Sequence, residues 1–285
     1  MINILYAGNS GVFDGILTSS LSAVMRMKEP RPIKIHIFTM DITRLGEKYT
    51  PLCEKEARYI EKCLREHNPE SYVTLYDVGP LYDGHLKFNA NEGCYCSPYT
   101  LLRLLADLIP EIPDKLLYLD ADVMFNKDIS LLWDTDISDV EYAAARDHYG
   151  KFLLNPNYIN AGVLLFNMKK CRESGIFEKA RELIRTKKLT FADQSALIRS
   201  TEKKKMLSQR FNDQKFLYKK TVIRHFSKRL FYLPYPHTEN IKQWQIEKVR
   251  KKFGYTEFDD ILNCYLTAKE NYLSEKPKCE PVLFV

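Results

Sequence analysis

Apolar positions along this chain fall into short runs that alternate with helically spaced ones, the arrangement of an α/β sheet with crossover helices. Ile2 to Ala7 is strand-like and breaks at Gly8-Asn9-Ser10-Gly11. Ile16, Leu17, Leu21, Val24 and Met25 then recur at helical spacing out to Met27, and Ile33 to Phe38 alternates as a second strand. Pro51 opens a charged amphipathic helix to about His67, Tyr72 to Val78 reads as a third strand, and Gly79 to Ser97 as a polar loop. Pro98 sits in the first turn of a helix carrying Leu101, Leu102, Leu104, Leu105 and Leu108, which Pro110 stops. Lys115 to Leu119, Glu141 to Ala145 and Ile159 to Asn167 are further strands, and a helix follows from Met168 to about Thr186. From Thr238 the pattern turns helical and charged, so the expected division is a main domain over 1–237 and a small helical C-terminal appendage over 238–285.

Composition adds that the core is large: 45% of 285 residues are hydrophobic and 12% aromatic, which excludes a disordered chain. Lys and Arg number 43 against 37 Asp and Glu, a net +6 that gathers at Lys203-Lys204-Lys205, Lys219-Lys220, Arg224, Lys228-Arg229 and Lys248 to Lys252. Such a balance favours an anionic partner, a nucleotide diphosphate or an acidic lipid, and a solvated helix face accounts for the runs equally well. A nucleic-acid partner is not expected. The seven cysteines lack the spacing of a zinc site or a disulfide scaffold and read as reduced thiols. Without a signal-peptide pattern or a membrane-spanning apolar run, the expected location is cytoplasmic.

The candidate chemistry lies at Leu116-Leu117-Tyr118-Leu119-Asp120-Ala121-Asp122-Val123, an apolar strand running into two carboxylates spaced i, i+2. Extended backbone puts both on one side at the carboxyl end of the strand, where open α/β sheets bind ligands. Two carboxylates converging there repel unless a cation lies between them, and a hard divalent ion answers this. A polar turn after a buried strand is the ordinary alternative. Metal-dependent phosphohydrolases of the haloacid-dehalogenase type carry a similar pattern, but on the first strand and with a late acidic pair on another strand end. Here at least three strands precede Asp120, and the late pair Asp259-Asp260 falls in a helical stretch.

From the first strand to about His225 the chain resembles the family 8 retaining glycosyltransferases, which include bacterial lipopolysaccharide galactosyl- and glucosyltransferases and glycogenin. The resemblance rests on Arg103-Leu104-Leu105-Ala106-Asp107-Leu108, on Lys115 to Asp122, and on Asp128-Ile129-Ser130-Leu131-Leu132-Trp133. Asn160-Ala161-Gly162-Val163-Leu164-Leu165-Phe166-Asn167 and the pair Asp193-Gln194 complete it. It implies a Rossmann-like, GT-A type α/β fold with a mixed central sheet, and transfer of a hexose from a UDP-sugar, UDP-glucose or UDP-galactose, to a saccharide or glycolipid. It also implies Mn²⁺, with Mg²⁺ as the alternative, held by Asp120, Asp122 and His225. The oxygen and imidazole set suits Mn²⁺ better than Mg²⁺.

By the same resemblance Ala7, Gly8 and Asn9 take the nucleoside, and Arg103, Ala121, Asn160 and Ala161 join the donor site. Asp147, Asp193 and Gln194 hold the sugar and the reacting centre, Gln194 by stabilising the sugar face. Relatives place Gly three residues and Lys six residues after the metal-binding histidine, whereas this chain has Lys228 and Phe231 there. Lys228 or Arg229 is therefore expected to supply the diphosphate cation. Tyr82, His85, Phe88, Tyr95 and Tyr99 are candidates for stacking on acceptor sugars or for packing the loop. Ile241 to Lys252, with Trp244, reads as a basic interfacial helix for peripheral membrane docking, or as a plain charged helix. A nucleotide-sugar-binding protein without chemistry is the remaining alternative.

Overall fold

The computed structural model describes residues 1–92 and 97–275. β1 (Ile2–Ala7) leads into α1 (Phe13–Met25), β2 (Ile33–Thr39), α2 (Glu54–Arg65), β3 (Tyr72–Asp77) and α3 (Gly79–His85). A 3-10 helix, Pro98–Leu108, precedes β4 (Lys115–Leu119), β5 (Val123–Phe125) and α4 (Ser130–Trp133). β6 (Tyr142–Arg146), α5 (Gly150–Leu153) and β7 (Ile159–Asn167) follow, then α6 (Met168–Ser174), α7 (Ile176–Thr186), α8 (Ala192–Ser200) and β8 (Lys204–Leu207). The last part holds β9 (Ile223–His225), β10 (Arg229–Phe231), β11 (His237–Glu239), α9 (Ile246–Phe253) and α10 (Asp259–Ser274).

Seven strands form the central sheet in the order β3-β2-β1-β4-β7-β6-β8. β7 runs antiparallel to both neighbours, and the other pairs are parallel. Successive residues alternate between the two faces. Ile4, Tyr6, Ile35, Leu117 and Leu119 pack beneath α1, α2 and α10, while Leu5, Phe38, Leu116, Tyr118 and Leu164 pack beneath the 3-10 helix, α7 and α8. Burial on both faces is why these strands read as nearly unbroken apolar runs. The fold is thus the α/β arrangement with a mixed, mostly parallel sheet that the resemblance implies.

Several elements depart from the sequence pattern. The stretch from Gly79 opens with α3, Pro80 occupying its first turn, where the glycine and proline content suggests a loop. Tyr82 and Tyr99 are buried: the Tyr82 hydroxyl donates to Glu92 at 2.8 Å, and that of Tyr99 to the carbonyls of Met40 and Tyr49 at 3.0 and 2.9 Å. They therefore pack the loop onto the domain instead of stacking on a ligand. Phe88 is 76% exposed, and Tyr95 lies outside the described residues. Gly175, at φ +65°, divides the expected 168–186 helix into α6 and α7. The lysine run at 203–205 enters β8, an edge strand where lysines discourage pairing with another chain.

The leucine-rich segment winds as a 3-10 helix, so Thr100, Arg103 and Ala106 fall in one row, and Arg103 Nε donates to the Thr100 carbonyl at 3.0 Å. After residue 238, Ile241, Val249, Phe258, Ile261, Leu262 and Tyr265 join the same core as α1 and α2. Tyr272 of α10 meets Phe13 and Tyr59 at ring-centroid distances of 4.8 and 4.9 Å, and Lys269 reaches Asp14 at 2.6 Å. Trp244 is half-buried and packs at Gly15. No helix among the described residues is long and apolar enough to cross a membrane.

His36, fully buried in β2, bonds the Tyr76 hydroxyl through Nδ1 at 3.1 Å. Burial, with Lys34 nearby, lowers its pKa from 6.5 to about 4. The unfolded chain therefore takes up a proton that the folded protein refuses, and this contribution is complete above pH 6.5 and lost as the pH falls toward 4. Urea unfolding at the two ends of that range is expected to differ by about 3 kcal/mol more in the wild-type protein than in His36→Leu. An equal pH increment in both proteins would contradict it.

Candidate active site

Two antiparallel strand pairings assemble the site. β4 ends at Leu119, and because β7 is antiparallel to it, the first residues of β7 lie beside its carboxyl end. The Asp120 amide accordingly donates to the Gly162 carbonyl at 2.8 Å. A parallel β7 would carry Asn160-Ala161-Gly162 to the opposite edge of the sheet. β5 then pairs antiparallel with β9, setting Val123 opposite His225, and the Phe226 amide closes on the Asp122 carbonyl at 2.7 Å. This small ladder brings His225 to the carboxylates across about a hundred residues of sequence.

His225 Nε2 lies 3.1 Å from Asp122 Oδ1 and 3.8 Å from Asp120 Oδ2. One donor atom from each of the three residues falls within 4.8 Å of the others. Ligands on one ion with bonds of about 2.1 Å are roughly 3 Å apart when adjacent and about 4.2 Å apart when opposite, so a modest side-chain rotation closes this set. Gly162 provides the room: a Cβ there would meet His225 Cε1 at 2.3 Å and Asp120 Oδ2 at 2.7 Å. Two carboxylate oxygens and an imidazole nitrogen in a cradle that only glycine leaves open fit a divalent cation.

The charges are already balanced from behind. Arg103 is 2% exposed, donates to Asp120 Oδ1 at 3.1 Å and to the Ala161 carbonyl, and approaches Asp193 Oδ2 at 3.2 Å. Its guanidinium lies 3.7 Å from the Tyr118 ring centroid, and the Tyr118 hydroxyl donates to the same Asp120 oxygen at 2.9 Å. Arg103 thus faces inward and aims Asp120. Burial alone would raise the Asp122 pKa, but Lys242 and His225 overcome it and hold the carboxyl well below the usual range.

Asp120, Asp122 and His225 border a cavity of about 660 Å³ that is also lined by Asp147, Asn160, Gln194, Gln214 and four cations, Lys215, Lys228, Arg229 and Lys242. Asp147 Oδ2 accepts from Asn160 Nδ2 at 2.8 Å, and Gln194 Oε1 accepts the Ala161 amide at 2.9 Å. Asp193 does not line the cavity: it is 4% exposed, and burial raises its pKa against the pull of Arg103. Ala7, Gly8 and Asn9 also stand outside this lining. Asn9 spends its amide on the Lys48 carbonyl at 2.7 Å, and the Gly8 amide donates to Phe38 at 3.0 Å. Arg229 is partly committed elsewhere, donating to the Lys215 carbonyl at 2.9 Å and stacking on Phe216, Phe231 and Phe253.

Among the residues that escape the sequence reading are Tyr118, Gln214 and Lys215, and two more that touch the candidate ligands, Lys242 and Asn212. Lys242 forms an ion pair with Asp122 Oδ2. Its neighbours clamp the same turn, Gln243 Nε2 donating to the Ala121 carbonyl at 2.8 Å and Trp244 packing at Gly15. The segment drawn as an appendage therefore contributes to the site. Asn212, fully buried, meets His225 Nδ1 through Oδ1 at 3.0 Å. Lys242 follows the β10–β11 hairpin, so its distance from His225 hides it, and Asn212 carries no local pattern.

Because Gly162 sits under both His225 and Asp120, Gly162→Ala is expected to separate them and weaken Mn²⁺ binding at least tenfold, about 1.4 kcal/mol, in calorimetric titration. Wild-type affinity in that variant would count against the site.

Comparisons with known proteins agree with this geometry. Residues 3–245 match the family described as glycosyl transferase family 8, a match that continues past His225 through Lys242. Glycosyltransferase GlyA of Streptococcus pneumoniae is 36% identical over 110 residues, 36% of this chain and 16% of that protein. A putative glycosyltransferase of Haemophilus influenzae is 37% identical over 97 residues, 30% of this chain and 29% of that protein. Each aligned stretch thus spans less than a third of the relative's own length. Among solved structures, galactosyltransferase LgtC in complex with donor and acceptor sugar analogs superposes with a TM-score of 0.65 at 18% identity, covering 93% of this chain and 96% of that one. GlyE of Streptococcus pneumoniae gives 0.61 at 19% identity, over 100% of this chain and 67% of that one. With the family match spanning most of its length, a GT-A type fold and an Asp-x-Asp acidic site, this chain belongs to glycosyltransferase family 8.

Proposed function

We propose that this protein transfers a hexose from a UDP-sugar to a saccharide acceptor with retention of anomeric configuration, using Mn²⁺ held by Asp120, Asp122 and His225. The observation that carries the proposal is the convergence of those three donors at the edge of a cavity whose wall also presents Lys215, Lys228, Arg229 and Lys242. A divalent ion with that many cations nearby calls for a multiply charged anion, which a nucleotide diphosphate is. The related LgtC, crystallised with donor and acceptor sugar analogs, supports the same class of ligands.

Bound there, the ion would stabilise negative charge developing on the departing diphosphate. Lys242, adjacent to Asp122, is the residue we assign to the diphosphate in place of Lys228 or Arg229. Arg103 and Tyr118 hold Asp120 in register. Gln194, fixed by the Ala161 amide, borders the sugar pocket with Asp147 and Asn160. Neither remaining acid is poised as a nucleophile. Asp193 is buried against Arg103, and Asp147 is engaged by Asn160 and by the amides of Tyr149 and Gly150 at 3.0 and 2.7 Å. This favours attack of the acceptor from the leaving-group side, with the departing phosphate oxygen taking the acceptor proton.

Incubation with Mn²⁺ and a panel of UDP-sugars is expected to release UDP slowly from UDP-glucose or UDP-galactose, and chelation or Asp122→Asn should cut the rate at least a hundredfold. Phosphate release from a simple monoester would instead select a phosphohydrolase, and binding without turnover an inactive nucleotide-sugar-binding protein. UDP affinity in Mn²⁺ is expected to fall about tenfold in Lys242→Met and less than about threefold in Lys228→Ala. The reverse order would return the diphosphate to Lys228.

A further inference from the structure

His225 can ligate through Nε2 only if the ring hydrogen sits on Nδ1. The atom facing Nδ1 is Asn212 Oδ1 at 3.0 Å, and an asparagine alone does not decide the tautomer, because the turned-over amide would present its NH₂. Here the amide is not free to turn. Asn212 Nδ2 donates to Asn160 Oδ1 at 2.9 Å, the same oxygen that accepts the Gly162 amide at 3.0 Å, and Asn160 Nδ2 donates to Asp147 Oδ2 at 2.8 Å. An ionised carboxylate only accepts, and a backbone N–H only donates. Turning Asn160 over would set oxygen against Asp147 and NH₂ against the Gly162 amide. With Asn160 fixed, turning Asn212 would set its oxygen against that of Asn160. Asn212 is fully buried, so water does not relieve the second clash, and the buried Gly162 amide opposes the first.

We infer that Asp147, acting through Asn160 and Asn212, is a positioning residue that holds His225 as its Nδ1–H tautomer and so keeps Nε2 available to a divalent cation. Among the described residues, Asp147 bonds Asn160 and the Tyr149 and Gly150 amides and makes no hydrogen bond or ion pair with the three candidate ligands. Its carboxylate supplies the polarity that two amides pass on to the imidazole. This inference rests on the metal site under the proposed function.

The test is ¹⁵N NMR of the metal-free protein at about pH 8, where an ordinary imidazole is neutral, with long-range correlations to the ring nitrogens. The chain has six histidines, and His225 is identified by its loss in His225→Gln. Wild type is expected to keep a hydrogen on His225 Nδ1 throughout, with Nε2 facing the Asp122 carboxylate at 3.1 Å in the absence of metal. Asp147→Asn, which lets the terminal amide turn, and Asn212→Leu, which cuts the last link without removing charge, should both give mixed or Nε2–H tautomers. In the same variants Mn²⁺ affinity, read from the spin-resonance signal of free Mn²⁺, is expected to fall 10- to 100-fold. Unchanged signals of the histidines other than His148, which adjoins Asp147, report that the fold is retained. A wild-type ring with no hydrogen on Nδ1 overturns the inference, as do both variants keeping the wild-type Nδ1–H and affinity. Failure of Mn²⁺ to bind wild type would sink the metal reading and leave the tautomer result standing.

Discussion

The site depends on one close approach, the antiparallel laying of β7 against β4 with Gly162 at the crossing. Sheet register sets the Gly162 carbonyl on the Asp120 amide, and the ladder between β5 and β9 sets His225 over the same glycine. A side chain at 162 would fill the space in which Asp120 and His225 face each other. Reversing one strand in an otherwise parallel sheet therefore gathers groups from three distant parts of the chain at a single edge, where the carboxyl ends of the parallel strands already open.

Around that point the protein arranges charge in two shells of opposite purpose. Arg103, in the 3-10 helix, is buried behind Asp120, and its partners Asp193, Tyr118 and the Ala161 carbonyl hold it there. It orients the carboxylate and leaves the front open. In front, lysines and an arginine line the cavity, and Lys242 reaches Asp122 from a segment that also clamps the Ala121 carbonyl and packs Trp244 at Gly15. Burial of α10 against α1 and α2 keeps that segment in place, which connects the C-terminal helices to the chemistry.

What the sequence made legible follows from which physical signals are local. The β1, β2 and β4 strands could be read because both faces are buried, so Ile2–Ala7, Ile33–Thr39 and Lys115–Leu119 are mostly apolar, with Asn3, Lys34, His36, Thr39 and Lys115 as the exceptions. The Asp120 and Asp122 pair was readable from its place at a strand end. His225 came only from the resemblance, since a lone histidine beside Phe226 has no pattern of its own. β8 was hidden because an edge strand tolerates lysines, and α3 because its first residues are Gly79 and Pro80. Lys242 was missed because the hairpin formed by β10 and β11 displaces it from the expected position, and Asn212 because only tertiary hydrogen bonds define it. The direction of Arg103 is likewise invisible in sequence. A leucine-rich helix can present an arginine to either side, and only the packing of the 3-10 turn decides.

The central claim is that Asp120, Asp122 and His225 act together as ligands of one divalent ion. Anomalous diffraction at the manganese edge, from crystals grown with Mn²⁺ and UDP, addresses this without reference to turnover. The account predicts one anomalous peak within bonding distance of Asp120, Asp122 and His225 Nε2, with the diphosphate on its open side and Lys242 against the phosphate. A peak elsewhere, or none while Lys242 remains paired with Asp122, would contradict it.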